Sequence, residues 1–289
     1  MGNIVELCLY GISLGSIYAI IALGFTIIYS VTRIINFAQG EFVMLGGMLS
    51  FMLFSSFHLP LPLAFILAIV MVAIVGLLIE RLTIRPARNA PVVSLVIITI
   101  GVSIFVRGIA GVVWGKDPVV VPPFSGSQPI SFLGAALSPQ NFWVLGVTIG
   151  VMLLLHVFLS YTMLGKALRA SSVNRRAATL VGIDTRLMSL IAFSISAGLG
   201  ALGGVVIAPL TLPSYSMGVM LGLKGFVAAA MGGFTSQMLA VAGGIALGIA
   251  ESLGAGLISS AYKDAIALVI LFIVLLLRAR TFREEAEDE

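Results

Sequence analysis

Charged and amide side chains occur inside otherwise apolar runs at three places in this sequence. The first place is Asn36-Phe-Ala-Gln-Gly-Glu41, the second is Glu251, with Lys224 on the adjoining run as its candidate partner, and the third is Arg107. A polar group inside lipid costs free energy, so it tends to face a polar pathway or a buried partner. The candidate pathway or buried polar residues are therefore Asn36, Gln39, Gly40, Glu41, Lys224, Gly225 and Glu251.

Each of these features also has a purely structural explanation. The segment from Asn36 to Glu41 could be a helix start at the membrane interface, and Glu251 could serve a structural ion pair with Lys224. Arg107, in the outer part of another apolar run, could reach the surface by snorkelling. Most glycines inside the apolar runs are explained by close helix packing. Gly40 and Gly225 differ because each lies beside a charged residue, where a broken helix could line a cavity.

The residues argue against an enzyme. The two histidines, His58 and His156, are isolated, so we expect no metal site. The Gly-Lys pairs at 115–116 and 165–166 lack the other residues of a phosphate-binding loop, so the chain cannot bind ATP by that route. No nucleophile and base pairing stands out in the aqueous loops. We therefore expect no catalytic residue and no cofactor.

One long polar block interrupts the apolar sequence, and it reads GKALRASSVNRRAATLVGID from Gly165 to Asp184. Asn174 can cap a helix start, and Gly182 suits the left-handed position after a helix end. A two-turn helix from Arg175 to Val181 is predicted. The block is either a basic loop that fixes orientation or a docking surface for a cytoplasmic partner. The candidate docking residues are Gly165, Lys166, Arg169, Asn174, Arg175, Arg176, Leu180, Val181, Gly182 and Asp184.

The composition indicates an all-α polytopic membrane protein. The 289 residues are 60% hydrophobic and 10% charged, and the mean hydropathy of +1.16 is too high for a soluble domain. The net charge of +4 comes from basic residues in short loops, which favours a membrane over nucleic acid as the partner. The apolar run at the N-terminus has no basic region before it, so we expect no cleaved signal peptide.

Runs of about 20 apolar residues predict nine membrane spans in one transmembrane domain. The seventh run is short and rich in glycine, and eight spans remain if it is re-entrant. The predicted spans are about 9–31, 37–57, 63–79, 92–113, 142–160, 187–207, 219–234, 239–258 and 261–277. The resulting parts are a first half (1–113), an external loop (114–141), a central span (142–160), a cytoplasmic loop (161–186), a second half (187–277) and a solvated, loose tail (278–289).

Basic residues predict the orientation. Placing the polar block inside puts twelve of the 16 Lys and Arg residues on the cytoplasmic side, with the N-terminus outside and the C-terminus inside. The first four and last four spans then run in opposite directions around the central span. Inverted halves are typical of transporters with a pathway at their interface. Glu41-Phe-Val-Met-Leu-Gly-Gly47 loosely resembles Gly225-Phe-Val-Ala-Ala-Ala-Met-Gly-Gly233, as many apolar helices would.

Three blocks together resemble one known family, the permease subunits of branched-chain amino acid importers powered by ATP-binding cassette (ABC) ATPases in bacteria. Ile34-Ile-Asn-Phe-Ala-Gln-Gly-Glu-Phe42 resembles the first signature of that family, although position 39 is Gln where the family often has His. The segment 165–184 resembles its cytoplasmic coupling loop. The segments 222–234 and 244–252 resemble its C-terminal signature, with Thr-Ser-Gln-Met-Leu following Phe234 in place of a Gly-Ser-Ile-Pro-Gly-like turn.

The resemblance implies an importer of five parts in the inner membrane. These are two related permease subunits, two cytoplasmic ATPases and a periplasmic substrate-binding protein. The implied substrates are branched-chain amino acids, with amides, urea or aromatic carboxylates as alternatives. A secondary transporter using Glu41 or Glu251 as a proton or cation site is a competing hypothesis, and a non-transporting membrane assembly protein is a third.

Overall fold

The computed structural model describes residues 2–126, 128–132 and 135–287, with side chains over 4–126, 128–131 and 136–276. The described chain is almost entirely helical, as predicted. Its α-helices are α1 (Gly2–Thr32), α2 (Gln39–Ser55), α3 (Leu61–Ile79), α4 (Val92–Val113), α5 (Pro139–Tyr161), α6 (Met163–Val173), α7 (Arg175–Leu180), α8 (Thr185–Ile207), α9 (Met217–Met231), α10 (Gln237–Leu257) and α11 (Lys263–Glu287). A π-helical turn, Glu80–Ile84, extends α3, and a 3₁₀ turn, Ser260–Tyr262, precedes α11.

Six of the described helices are long and apolar enough to cross a membrane, namely α1, α3, α4, α5, α8 and α10. Two further apolar helices are shorter, with 17 residues in α2 and 15 in α9. At a rise of about 1.5 Å per residue, α9 is only about 22 Å long, less than the thickness of a bilayer core. The count of nine spans stays a prediction.

Three connecting regions differ from the predicted boundaries. The external loop contains an antiparallel hairpin, Ile130–Phe132 with Ala135–Leu137, and ends early because α5 begins at Pro139. The cytoplasmic loop contains α6, which Thr162 caps by accepting a hydrogen bond from the Gly165 N–H at 3.0 Å. The tail predicted to be loose continues α11 to Glu287, since its Arg, Ala and Glu residues favour helix. Positions 288 and 289 of that tail lie outside the described residues.

Small residues let the central helices touch backbone to backbone. A Cβ atom added at Gly15 of α1 would stand 2.6 Å from the carbonyl oxygen of Gly244 in α10. On α8, the same addition at Gly200 would meet the Cβ of Phe42 in α2 at 2.7 Å. Such close approach is how helices associate in lipid, where the hydrophobic effect offers no drive between them.

The helix pairings occur twice over. α1 packs on α10 and α9, and α8 packs on α3 and α2. If α1–α4 are replaced in order by α8–α11, and the reverse, the α1–α10 pair becomes the α8–α3 pair and the α1–α9 pair becomes the α8–α2 pair. In the same way, the α2–α3 and α2–α4 pairs become the α9–α10 and α9–α11 pairs. α1 and α8 also pack on each other, so they form the centre of the arrangement.

The first turns of the two short helices cross at this centre. A Cβ atom on Gly40 of α2 would stand 2.9 Å from Cα of Gly222 in α9, and one on Gly218 of α9 would stand 2.6 Å from the carbonyl oxygen of Gly40. The start of α2 is buried inside the bundle, where Gln39 and Glu41 are 0% and 1% exposed. This crossing positions the site described below.

Two glycines on α8 provide a matched test of the packing. We predict that Gly204→Ala lowers the free energy of unfolding by roughly 1–3 kcal/mol, since its Cβ would collide with the Val43 carbonyl oxygen. Gly198→Ala should be neutral or slightly stabilising, because the nearest atoms to its Cβ lie 3.8 Å away. Thermal unfolding of the purified variants in detergent measures both, and equal midpoints would contradict the packing.

Candidate functional site

Glu41 lies in the first turn of α2 and is only half satisfied. The Ser103 hydroxyl of α4 donates to Glu41 Oε1 at 2.8 Å. Glu41 Oε2 is buried, and it has no hydrogen-bond partner within the described part of the chain. Arg107, one turn beyond Ser103 on the same helix, acts electrostatically on this carboxyl group. The structure therefore brings Glu41, Ser103 and Arg107 to one place.

The other polar residues of this segment hold the backbone in position. Gln39 Nε2 donates to the Ser196 carbonyl at 3.1 Å, and the Ser196 hydroxyl lies 2.6 Å from Gln39 Oε1. Asn36 Oδ1 accepts from the Ala38 N–H at 3.1 Å, and the Phe37 N–H donates to Thr99 Oγ1 at 3.2 Å. Asn36 and Gln39 thus help to fix the start of α2, while the Asn36 Nδ2 atom is buried without a hydrogen-bond partner among the described residues.

A half-open pocket of about 270 Å³ is lined by Ser103, the residue that donates a hydrogen bond to Glu41, although Glu41 does not line the pocket itself. Ser103 and Arg107 of α4 form its polar side. Phe25 of α1, Phe37 before α2 and Phe226 of α9 belong to its apolar wall. Apolar pockets with a few convergent polar groups are typical binding sites for small molecules, so this pocket is the candidate site.

The pocket continues into a series of aromatic contacts that sequence reasoning missed. Phe226 packs against Phe25 and Phe37, with ring centroids 5.9 and 5.5 Å apart, and against Phe234 at 5.3 Å. Phe234 in turn lies 5.2 Å from Tyr29. The available signal was the four-residue spacing of Phe25 and Tyr29, which places both on one face of α1. The Arg33 guanidinium lies 5.8 Å from the centre of the Tyr29 ring.

Gly225 does not lie in a broken helix, contrary to the prediction. It sits inside the continuous helix α9, and a Cβ atom there would collide with the Ile21 side chain of α1. Gly40 likewise faces backbone atoms of α9 rather than open space. Both glycines allow close helix packing because a larger side chain would force the backbones apart. They shape the site from behind rather than lining its cavity.

Glu251 and Lys224 meet in a separate buried cluster. Lys224 Nζ lies 2.8 Å from Glu251 Oε1, and the Tyr18 hydroxyl donates to Glu251 Oε2 at 2.8 Å. Lys224 also pairs with Asp264 at 2.7 Å, and Lys263 Nζ is 3.5 Å from Glu251 Oε1. The cluster joins α1, α9, α10 and α11. Among the described residues, no group of three or more His, Cys, Asp or Glu side chains could hold a metal ion.

The loop predicted to be cytoplasmic, residues 161–186, contains the short helix α7, with the predicted capping. Asn174 Oδ1 accepts from the Ala177 N–H at 3.0 Å. Gly182 has φ +87°, and the Ile183 N–H donates to the Ala178 carbonyl at 3.0 Å. Asp184 then begins α8 by accepting from the backbone N–H groups of Arg186 and Leu187 at 2.8 and 3.3 Å.

The Asp184 cap depends on its charge. The Arg186 N–H, followed by that of Leu187, lowers the pKa of the Asp184 carboxyl below its ordinary value. A carboxyl group with a lowered pKa contributes stability above its unfolded-state pKa, and that contribution is lost as the pH falls through the folded-state pKa. The cap is therefore fully ionised at neutral pH.

α7 presents an exposed apolar end beside basic side chains. Leu180 and Val181 are 88% and 77% exposed, whereas Ala178 on the opposite face is buried. Gly165 is buried, and a Cβ atom there would collide with the Phe158 carbonyl oxygen, so the close contact requires glycine. Arg175 also lines a small pocket with the buried Glu80. The exposed basic residues of the loop include Lys166, Arg169, Arg175 and Arg176.

Glu251→Ala tests the buried cluster. We predict a loss of up to about 3 kcal/mol of stability and lower expression, because Lys224 would retain only the half-exposed Asp264 as a charged partner. The double variant Lys224→Met/Glu251→Leu should regain part of that stability, since apolar side chains of similar size need no ionic partner. Thermal unfolding in detergent measures both variants. A single variant with wild-type expression and stability would contradict the structural role.

Comparison with known proteins identifies the family of this chain. Residues 7–275 match the family model described as the permease component of the branched-chain amino acid transport system. The chain is 35% identical to the high-affinity branched-chain amino acid transport system permease protein LivH of Escherichia coli K12, covering 92% of this chain and 91% of that protein. It is 32% identical to BraD of Pseudomonas aeruginosa, a permease protein named in the same way, covering 93% and 92%.

A solved structure supports the fold. A chain of PsaBC from Streptococcus pneumoniae in complex with Fab aligns with a TM-score of 0.50 and 13% identity, covering 92% of this chain and 89% of that chain. At that identity the likeness concerns the fold alone. The two sequence relatives and the family model together decide the assignment. The chain belongs to the permease components of branched-chain amino acid transport systems, and it is a multi-pass membrane transport subunit rather than an enzyme.

Proposed function

We propose that this chain is one of two permease subunits in an ATP-driven importer that carries branched-chain amino acids across the bacterial inner membrane. The relatives named above supply the substrate class. The observation that carries the ATP-driven mechanism is the capped helix α7, which exposes Leu180 and Val181 outside the bundle. Exposed apolar anchors at the centre of a polar surface are typical of a protein interface.

The proposed partners follow from what this chain supplies. It supplies a pocket that is open on one side and a docking loop, and its sequence has no phosphate-binding loop. Two cytoplasmic ATPases supply the energy, a second permease subunit completes the pathway, and a periplasmic binding protein delivers the substrate. The N-terminus lies outside and the C-terminus inside, as the distribution of basic residues favours.

We infer that residues 1–113 and 187–277 form inverted halves around the central helix α5. The doubled set of helix pairings, centred on α1 and α8, supports this inference. ATP binding closes the ATPase dimer, which moves the coupling loop at 161–186. The two permease subunits then rock relative to each other, and the pathway between them opens outward to receive substrate and inward to release it.

One observation favours a different energy source. Glu41 has a buried carboxylate oxygen without a hydrogen-bond partner among the described atoms, as a proton or cation site would. Glu251 is a poorer candidate for that role, because both of its oxygens are engaged by Lys224 and Tyr18. In the proposed importer, the Glu41 oxygen belongs to the pathway instead.

Uptake energetics separate these two mechanisms. Leucine uptake by cells that express the whole system should stop when both ATPases carry a substitution of the phosphate-loop lysine. It should persist when a protonophore collapses the proton gradient and ATP is maintained. Uptake that survives the ATPase substitutions and collapses with the gradient would support a secondary transporter. Competition by unlabelled valine, an aliphatic amide, urea and benzoate would establish the substrate class.

The loop itself is tested by reversing its charge. We predict that Arg175→Glu/Arg176→Glu reduces leucine uptake and substrate-stimulated ATP hydrolysis at least about tenfold, as the loss of a buried charged contact at an interface would. Handover from the periplasmic binding protein should remain intact. The matched control, Arg175→Lys/Arg176→Lys, retains the charges and should keep most of the activity.

Charge reversal could also invert the chain in the membrane, because basic residues set orientation. A cysteine placed at Thr179 in a Cys8→Ala background, labelled with an impermeant reagent, reports which side the loop faces. Normal ATP hydrolysis and uptake in an assembled, correctly oriented double Glu variant would show that the loop sets orientation only.

A further inference from the structure

We propose that the pocket beside Glu41 is a transit site for the zwitterion of an aliphatic amino acid, with Arg107 binding the carboxylate and the phenylalanines receiving the side chain. This inference rests on the proposed function, and it goes further by naming the groups that recognise the substrate. It assigns Arg107 a role in substrate binding. The sequence alone suggested only that the Arg107 side chain reaches the membrane surface by snorkelling.

The polar side of the pocket matches the two charges of such a ligand. Ser103 and Arg107 are four residues apart on α4, so their side chains lie one above the other on the same face. A guanidinium is well suited to a carboxylate because it can donate two parallel hydrogen bonds. Behind Ser103 lies the Glu41 carboxylate, with one oxygen unpartnered among the described atoms. Glu41 does not line the pocket itself, so its charge would attract an ammonium group across Ser103 rather than by direct contact.

The apolar side of the pocket matches an aliphatic side chain. Phe25, Phe37 and Phe226 converge there with Leu223 of α9. The volume of about 270 Å³ lies just below the range of roughly 300–1,000 Å³ for drug-sized ligands, which suits a single amino acid. Urea and simple amides lack the carboxylate that Arg107 would bind, and an aromatic carboxylate lacks the ammonium that Glu41 would attract. The combination therefore favours an α-amino acid.

The geometry also suggests a direction of travel. From the pocket, contacts between aromatic rings lead through Phe226 and Phe234 to Tyr29. Tyr29 is one turn before Arg33, at the end of α1 that faces the cytoplasm in the proposed orientation. These rings offer apolar surface without a strong polar trap, so a substrate can leave as readily as it binds. Efficient passage requires binding that is weak at each step.

The first test uses the complete importer in proteoliposomes, with the partner permease, the ATPases, ATP and the binding protein. We expect Arg107→Gln to lower the rate of leucine uptake about tenfold or more, the worth of one hydrogen bond to a charged group. Arg107→Lys should keep part of the rate. Lys116→Gln, which removes an exposed positive charge nine residues further along, should match the wild type. Basal ATP hydrolysis should be unchanged in the control variant Lys116→Gln.

The outcomes separate the two claims. If the wild-type complex fails to import any amino acid, the proposed function is wrong and the transit site falls with it. If the wild type imports leucine and Arg107→Gln imports it equally well, only the transit site is overturned.

A second measurement decides the case in which Arg107→Gln does not assemble. Val219 lines the pocket, so Val219→Cys in a Cys8→Ala background should react with an impermeant methanethiosulfonate when the complex is held outward-facing. Leucine should slow that reaction. Leu154→Cys, exposed on α5, should stay unreactive because it faces lipid. An unreactive Val219→Cys would mean that lipid or protein fills the pocket, and labelling unaffected by leucine would equally overturn the site.

Discussion

The close crossing of two short helices determines most of what is distinctive in this chain. The first turns of α2 and α9 meet at Gly40, Gly218 and Gly222, where the backbones leave no room for side chains. Because α2 starts inside the bundle, its first charged residue, Glu41, lies against the middle of α4. The pocket and its aromatic wall form beside this crossing, so the small residues create the site without contributing side chains to it.

The carboxylates of Glu41 and Glu251 show how local environment separates structural from functional roles. Glu251 is satisfied by an ammonium and a phenol, so its charge is balanced within the chain and the cluster fastens four helices together. Glu41 receives a single hydroxyl from Ser103, and within the described structure its second oxygen has no hydrogen-bond partner. A buried charge that is left partly unsatisfied costs stability, and such a cost is tolerated where function requires it.

Sequence reasoning succeeded where local chemistry decides structure. The capping of α7 by Asn174 and Gly182 depends on residues a few positions apart, and the limits of α4 follow from its flanking residues. It failed where distant residues decide. The buried start of α2 depends on Ser196 and Thr99, and the packing role of Gly225 depends on Ile21. The aromatic contacts around Phe226 likewise join segments that no pattern in the sequence places together.

The central claim is that a separate ATPase drives this chain through its cytoplasmic loop. The most direct measurement replaces Leu180, the exposed apolar residue at the end of α7, with a photoreactive amino acid in the assembled importer. The account predicts a light-dependent crosslink from position 180 to the ATPase. It predicts none from the equally apolar position 212, which is exposed beyond the opposite end of α8. An active complex in which position 180 forms no crosslink to the ATPase would contradict the account.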